Sequence, residues 1–396
     1  MKNHKPLISK PLCGSCAVLS FVLLTCCSLA ADSPRARDIG IPFDGTPGKW
    51  NAITDVTGVT VGHHTMMEDL PDGKAVRTGV TAVLPLGRQS LMRPVFGGWF
   101  SLNGCGEMTG TTWLEESGQL EGPVMLTNTH SVGMVHHATI AWRVRQGGPD
   151  ASGYFWSAPV VAETWDGYLN DINGFHVDPN HVDAALEGAV SSPVTEGNVG
   201  GGTGMVCHGF KGGIGTSSRV LEILNESYTV GVLVQANYGA RRDLRIAGVP
   251  VGRHLQEKRA SSQSKPDAEG DGSIIIVIAT DAPLLPYQLK RLAKRAGMGL
   301  ARMGSVASNG SGDIFIAFTT ADQSLGRVDR LLGHRSVPND RMNPLFAATV
   351  QATEEAIVNA LVAARDMTGD RGHHITAIPH DELVEVLSSY RMIIER

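Results

Sequence analysis

Hydrophobic positions in this chain gather into short apolar runs, separated by glycine-rich or charged breaks, and the runs have the length of strands. Ile53–Val61, Gly79–Leu84, Pro123–Leu126 and Val230–Gln235 read as strands on that basis. The sharpest break falls at Gly272. There the charged stretch Glu269-Gly270-Asp271-Gly272 gives way to Ser273-Ile-Ile-Ile-Val-Ile-Ala-Thr280, an unbroken aliphatic run that predicts a buried core strand. A further strand, Asp313–Phe318, follows Asn309-Gly-Ser-Gly312. Helical spacing appears between the strands. One helix covers His181–Val190 behind Asp178-Pro179, and another runs from Pro286 to Arg302 with Lys290, Arg291, Lys294 and Arg295 on a solvated face. Asn343-Pro344 opens a long helix, with Asn343 as its N-cap and Val350, Ile357 and Leu361 on its apolar side. A short helix over Asp381–Tyr390 closes the chain.

No fixed-period repeat interrupts this interleaving, which predicts α/β or α+β layers in one interlocked unit. The segment from Glu257 to Gly272 is the clearest boundary. Its polar and charged content cannot bury enough apolar surface to offset ordering, which makes it an exposed connector open to cleavage.

The N-terminus is a separate object. Lys2, Lys5 and Lys10 precede an apolar run from Leu12 to Leu24 and the small residues of Ser28-Leu29-Ala30-Ala31. This is the pattern of a secretory signal over residues 1–30, cut after Ala30, and it predicts a periplasmic protein. The run is short for a membrane span, so no membrane attachment is expected of the mature form. A lipidated Cys26 or Cys27 is the alternative. Four of the six cysteines lie in the signal, and the remaining pair, Cys105 and Cys207, reads as two buried thiols.

A length of 396 residues with 42% hydrophobic and 18% charged residues describes a globular chain, and a net charge of −5 gives no support for nucleic-acid binding. Several site types are missing: H-E-x-x-H, paired C-x-x-C, Walker A and G-x-S-x-G. Gly200-Gly-Gly-Thr-Gly204 lacks the acidic partner of a dinucleotide site and reads as a packing loop. The pairs His63-His64, His136-His137 and His373-His374 lack a third ligand, so neither a metal nor another cofactor is expected. Ser262-Gln-Ser-Lys265 matches S-x-x-K but lies in the polar connector.

Ser273 carries more chemistry. Cleavage before it would leave an α-amine a few ångströms from its own hydroxyl. With a pKa of about 7.7–8.0 that amine is partly neutral near pH 7, so nucleophile and general base would share one residue. Asn237 ends the apolar run Val230–Gln235 in Gln-Ala-Asn-Tyr-Gly, either as a turn residue or as an amide donor to an oxyanion. Ser311 and Asp313 flank Gly312, and period-two alternation puts both on one face, as turn chemistry or as a pair orienting Ser273. Glu163, after Val160-Val-Ala, is either a surface glutamate or an acceptor for an ammonium.

Together Gly272-Ser273 with its strand, Asn237 in Ala-Asn-Tyr-Gly and Ser311-Gly-Asp313 resemble the self-processing serine aminopeptidases, that is, the L-aminopeptidase D-Ala-esterase/amidases and β-peptidyl aminopeptidases. Ser101-Leu-Asn-Gly104 through Gly110, Thr127–Gly133 and Gly167–Gly174 extend the likeness over about residues 39–390. The resemblance implies a four-layer αββα fold, α+β in class, with the layering of N-terminal-nucleophile hydrolases and a different connectivity. It implies self-cleavage between Gly272 and Ser273 into an α chain, residues 31–272, and a β chain, residues 273–396, assembled as a homo-oligomer, a tetramer of αβ units. By carry-over Ser273 attacks, Ser311 and Asp313 support it, Asn237 holds the oxyanion and Glu163 takes the free amino group of a small peptide or amide substrate. Two positions depart from the pattern. The acidic partner is often glutamate where this chain has Asp313, and a tyrosine that can donate to the oxyanion would fall near Trp165, which offers an indole N–H. An acyltransferase related to ornithine acetyltransferase, which uses threonine, and a non-catalytic periplasmic peptide-binding protein are the competing readings.

Overall fold

The structure, a computed structural model, describes Met1 and residues 34–91, 93–147, 156–259, 272–321, 325, 329 and 331–394. The predicted signal, most of the polar connector and Ser262-Gln-Ser-Lys265 lie outside the described residues. In chain order the elements are β1 (Thr60–Asp69), β2 (Ala75–Arg88), β3 (Val95–Ser101), α1 (Thr111–Ser117), β4 (Gln119–Leu120), β5 (Val124–Asn128), α2 (Val132–Arg145), β6 (Val160–Thr164) and α3 (Pro179–Glu187). There follow β7 (Val206–Cys207), β8 (Phe210–Lys211), β9 (Gly213–Ile223), β10 (Glu226–Asn237), α4 (Val251–Arg259), β11 (Ser273–Thr280), α5 (Pro286–Arg302), β12 (Asp313–Thr319), α6 (Asn343–Val362), β13 (Met367–Thr368), β14 (His374–Ile375) and α7 (His380–Ser389).

Two sheets form the centre, one ordered β1-β2-β5-β6 and the other β4-β3-β12-β11-β10-β9. Alternation along the strands builds three apolar layers. In β11, Ile275, Val277 and Ala279 face the first sheet, where Val83, Leu126 and Ala162 meet them. Ile274, Ile276 and Ile278 face α5 and α6, against Leu292, Ala296 and Ile357. On the far side Val80, Ala82 and Met125 pack on Val135, Trp142 and Val182 of α2 and α3. This is the αββα sandwich. A strand buried on both faces has no polar side, which is why β11 reads as a continuous aliphatic run.

Local chemistry moved several boundaries. Ile53–Val61 is not one strand: Ile53–Asp55 is a 3-10 turn and β1 starts at Thr60. The Asp55 carboxylate accepts from the amides of Trp50 and Ala52 and closes that turn. The long helix begins at Asn343 with Met342, rather than Asn343, in the cap position. Helix α5 matches its predicted span, with Gln288 accepting from the Leu285 amide at its start and Leu289, Leu292, Ala293, Ala296 and Leu300 buried at helical spacing. Its basic face is more than solvated, because Arg295 and Arg291 lie over the Phe346 ring and Lys294 over Phe100. Of the two thiols only Cys207 is buried, while Cys105 is exposed in the loop after β3. The Gly200–Gly204 loop is a wedge between strands: a Cβ on Gly201 would come within 2.1 Å of Gln235 Oε1, and one on Gly202 within 2.4 Å of the Ile214 amide nitrogen.

Candidate active site

Strand register gathers the sequence-predicted residues. In the antiparallel pair β10–β11, Asn237 stands opposite Ser273, and in the parallel pair β11–β12, Ile274 stands opposite Asp313. In the other sheet Thr127 of β5 pairs with Glu163 of β6. All these positions lie at strand ends, where side chains leave the packed core.

Gly272 carries a φ of 152°, and a Cβ there would come within 2.1 Å of the Asn237 carbonyl oxygen. Only glycine accommodates both the backbone angle and that approach. The Ser273 hydroxyl accepts a hydrogen bond from the Gly312 amide at 3.1 Å. Beside it the Asn237 side chain is clamped at both ends: Oδ1 accepts from the Val206 amide at 2.8 Å and Nδ2 donates to the Trp165 carbonyl at 2.9 Å. The amide nitrogen carries a second proton that these contacts do not use, which makes Asn237 a pre-oriented donor.

Ser311 and Asp313 do share a face, and the Ser311 hydroxyl donates to Asp313 Oδ1 at 2.7 Å. That face is the helix side of the sheet, in line with Ile274, while Ser273 follows the parity of Ile275 and Val277 toward the other sheet. The pair therefore lies beside the main chain of Ser273 and Ile274. Burial pushes the Asp313 carboxyl above the usual aspartate range, while the Ser311 hydroxyl, and to a lesser degree the nearby Ile274 amide and Asn103, pull it back. Its second oxygen, Oδ2, is buried without a hydrogen-bond partner among the described residues.

Glu163 is buried as well, not a surface glutamate. Its Oε1 accepts from the Glu107 amide at 3.1 Å and its Oε2 from the Thr129 hydroxyl. Burial raises its pKa, with the Thr129 and Glu107 bonds opposing. A Cβ on Gly106 would sit 3.4 Å from Glu163 Oε1 and 3.0 Å from Gly312 Cα, so the carboxylate and the amide that holds Ser273 flank the same glycine. Trp165 contributes its carbonyl; its indole lies against the Gly167 backbone and is 50% exposed.

Four contributors escaped the sequence reading: the Gly312 amide, the Glu107 amide, Thr129 and Asn103, whose Oδ1 accepts from the Asp313 amide at 2.5 Å. Asn103 and Thr129 fall inside Ser101–Gly104 and Thr127–Gly133, so the stretches were visible although the roles were not. Backbone donors leave no mark in side-chain chemistry. The arrangement offers a hydroxyl with an amide donor beside it, a hydroxyl–carboxylate pair next to its main chain, and a buried anion across a glycine-lined gap.

The chain is similar to known proteins over most of its length. Residues 51–375 match the sequence pattern of Peptidase family S58. The chain is 54% identical over 378 residues to beta-peptidyl aminopeptidase BapA of Sphingosinicella microcystinivorans, covering 92% of this chain and 94% of that protein. It is 47% identical over 392 residues to the BapA of Sphingosinicella xenopeptidilytica, covering 95% and 96%. Among solved structures, L-aminopeptidase D-Ala-esterase/amidase from Ochrobactrum anthropi, described as a prototype serine aminopeptidase and a variant of the Ntn hydrolase fold, is similar at TM-score 0.85 and 48% identity, over 91% of this chain and 100% of its own. A Burkholderia sp. beta-aminopeptidase gives TM-score 0.83 and 47% identity over 92% and 100%.

Proposed function

This chain belongs to Peptidase family S58, and from that membership and the site geometry we propose that it is an aminopeptidase that makes its own nucleophile by cutting the Gly272–Ser273 bond. The serine-type aminopeptidase activity follows from the family. The residue roles, the two-chain mature form, its assembly as a tetramer of αβ units and its export to the periplasm are this reading's own.

In the first reaction the Ser273 hydroxyl oxygen attacks the Gly272 carbonyl carbon. The C–N bond breaks, its nitrogen takes up the proton and becomes the Ser273 α-amine, and water hydrolyses the resulting ester to free the Gly272 carboxylate. The observation that carries the reading is the placement of Ser273. It starts a core strand after a glycine at φ 152°, in register with Asn237, with the Gly312 amide on its hydroxyl.

In turnover the neutral α-amine takes the Ser273 hydroxyl proton as the oxygen attacks the substrate carbonyl. Ser311, its hydrogen directed to Asp313, presents lone pairs to the amine N–H and orients it. The free proton of Asn237 Nδ2 meets the oxyanion. Glu163 pairs with the substrate's ammonium, which supplies the counter-charge that its buried site lacks. The intermediate then collapses: the substrate C–N bond breaks and the protonated Ser273 α-amine returns its proton to the leaving nitrogen. Water hydrolyses the acyl ester on Ser273, freeing the amino acid and restoring the hydroxyl. Two β-peptidyl aminopeptidase relatives support a substrate that begins with a β-amino acid, with small L-α-amino acids as the lesser class.

N-terminal sequencing of the smaller band on a denaturing gel should begin at Ser273, and Ser273→Ala should remain one uncut, inactive chain. The purified enzyme should hydrolyse β-alanyl p-nitroanilide faster than its L-alanyl counterpart. An active protein that stays uncut would overturn the self-cleaving reading, and the reverse substrate order would overturn the β-amino preference alone.

A further inference from the structure

Tyr238 follows the proposed oxyanion donor and has no part in the chemistry above. Its ring is 2% exposed and meets the His208 ring edge-on at 4.8 Å. Its hydroxyl is buried with no hydrogen-bond partner among the described residues, as is Asp313 Oδ2. Two orphaned groups, one a donor and one an acceptor, are uncommon in a packed interior.

Register brings them to the same side of the sheet. With Asn237 opposite Ser273 and Ile274 opposite Asp313, the next row outward holds Tyr238, Gly272 and Ser311 across three adjacent strands. Gly272 is the middle of that row and has no side chain. Its backbone stands against Tyr238, because a Cβ on it would lie 3.1 Å from Tyr238 Cα. Tyr238 and Ser311 also line one small cavity of about 10 Å³, with Ser305, Ser308 and Asp243 on its other walls. Burial, with Cys207 and Asp313 nearby, raises the Tyr238 phenol well above its ordinary value, so it keeps its proton and remains a donor.

We propose that Tyr238 is a positioning residue: once cleavage frees Gly272 from the row, its phenol O–H donates to Asp313 Oδ2 and holds the Ser311–Asp313 pair against the new α-amine. This rests on the self-cleaving reading. A donor to the charged carboxylate favours its ionised form and opposes the effect of burial. Two titratable groups near the phenol are neutral near pH 7: burial pushes the Cys207 thiol up to about 12 and the His208 imidazole down to about 4. Asp243, across the cavity, is paired with Arg242.

Tyr238→Phe keeps the ring and removes only the donor. The precursor should cut itself at close to the normal rate, because the bond forms after cleavage. The mature enzyme should lose about tenfold in kcat with KM little changed, and activity on the acid side of the kcat–pH profile should disappear about one pH unit higher, since Asp313 then keeps its proton longer. Replacing Tyr238 by 3-fluorotyrosine, a stronger donor of nearly the same shape, should move that limb the other way. This variant decides the question alone if Tyr238→Phe fails to fold. An unshifted profile in the variants overturns the proposal and leaves Ser273 untouched, whose role Ser273→Ala tests separately. A Tyr238→Phe precursor that folds but cannot cut itself also overturns it, because the phenol would then act before the amine exists.

Discussion

Glu163 is a carboxylate that the fold buries; among the described residues it is held by the Thr129 hydroxyl and the Glu107 amide, with no cation hydrogen-bonded to it. Its raised pKa sets the sign of a pH effect: as pH falls through it, Glu163 becomes neutral and stops attracting an ammonium. KM should therefore rise on acidification. In Glu163→Gln that dependence should vanish, while kcat/KM for free-amine substrates falls about 10–100-fold, the worth of a charged hydrogen bond. N-acetylated substrates should be poor for both enzymes; equal turnover of acetylated and free alanyl p-nitroanilide would contradict the assignment. At Asn237, whose amide is fixed by Val206 and Trp165, Ala should lower kcat by about 10²–10³ in steady-state assays. Gly272→Ala places a Cβ on the Asn237 carbonyl oxygen, so the precursor should accumulate uncut on a denaturing gel.

Helix α6 lies on β9 and brings a buried ion pair with it, Arg219 to Glu355 at 2.7 Å, joined by Arg37 and Asn51. Burial alone would raise the Glu355 carboxyl, but the hydrogen bonds and charges of Arg37 and Arg219 outweigh it and hold the pKa below the usual glutamate range. A depressed folded pKa contributes stability above the unfolded value, about 4.3, and that stability is lost as pH falls through the folded one. Glu355→Ala leaves Arg219 buried and unpaired, which should cost about 3–5 kcal/mol in urea unfolding near pH 7. The difference from the parent should narrow below about pH 4. The test belongs in the uncut Ser273→Ala background, where unfolding involves a single chain. None of this network was legible in the sequence, because Arg37, Asn51, Arg219 and Glu355 are joined only by tertiary packing. Helix α5 and strand β11 were legible, since each carries its pattern within one segment. The turn at Ile53–Asp55 was not, because its apolar residues mimic a strand while Asp55 closes a turn. In the site, Ser273, Asn237 and Glu163 stood out as polar residues at the ends of apolar runs. The backbone donors Gly312 and Glu107 had no such mark.

The six-stranded sheet encloses strands from one side of the proposed cut between strands from the other. Strands β11 and β12 lie after Ser273, and they sit between β3 on one side and β10 with β9 on the other, all of which precede Gly272. Apolar layers on both faces of β11 lock it in place. The two fragments should therefore travel together through native gel filtration and part only in denaturant. Loss of the smaller one on dilution without denaturant would contradict this arrangement. The same strand order means that the uncut chain reaches its fold as one molecule, with the connector keeping the pieces at hand, whereas the cut enzyme once unfolded must find a partner chain in solution. Refolding of the αβ unit after denaturation, read as the recovered fraction of native secondary structure, should then depend more steeply on protein concentration for the mature enzyme than for Ser273→Ala. The working lifetime of the mature protein becomes a matter of how slowly it opens rather than how favourably it closes.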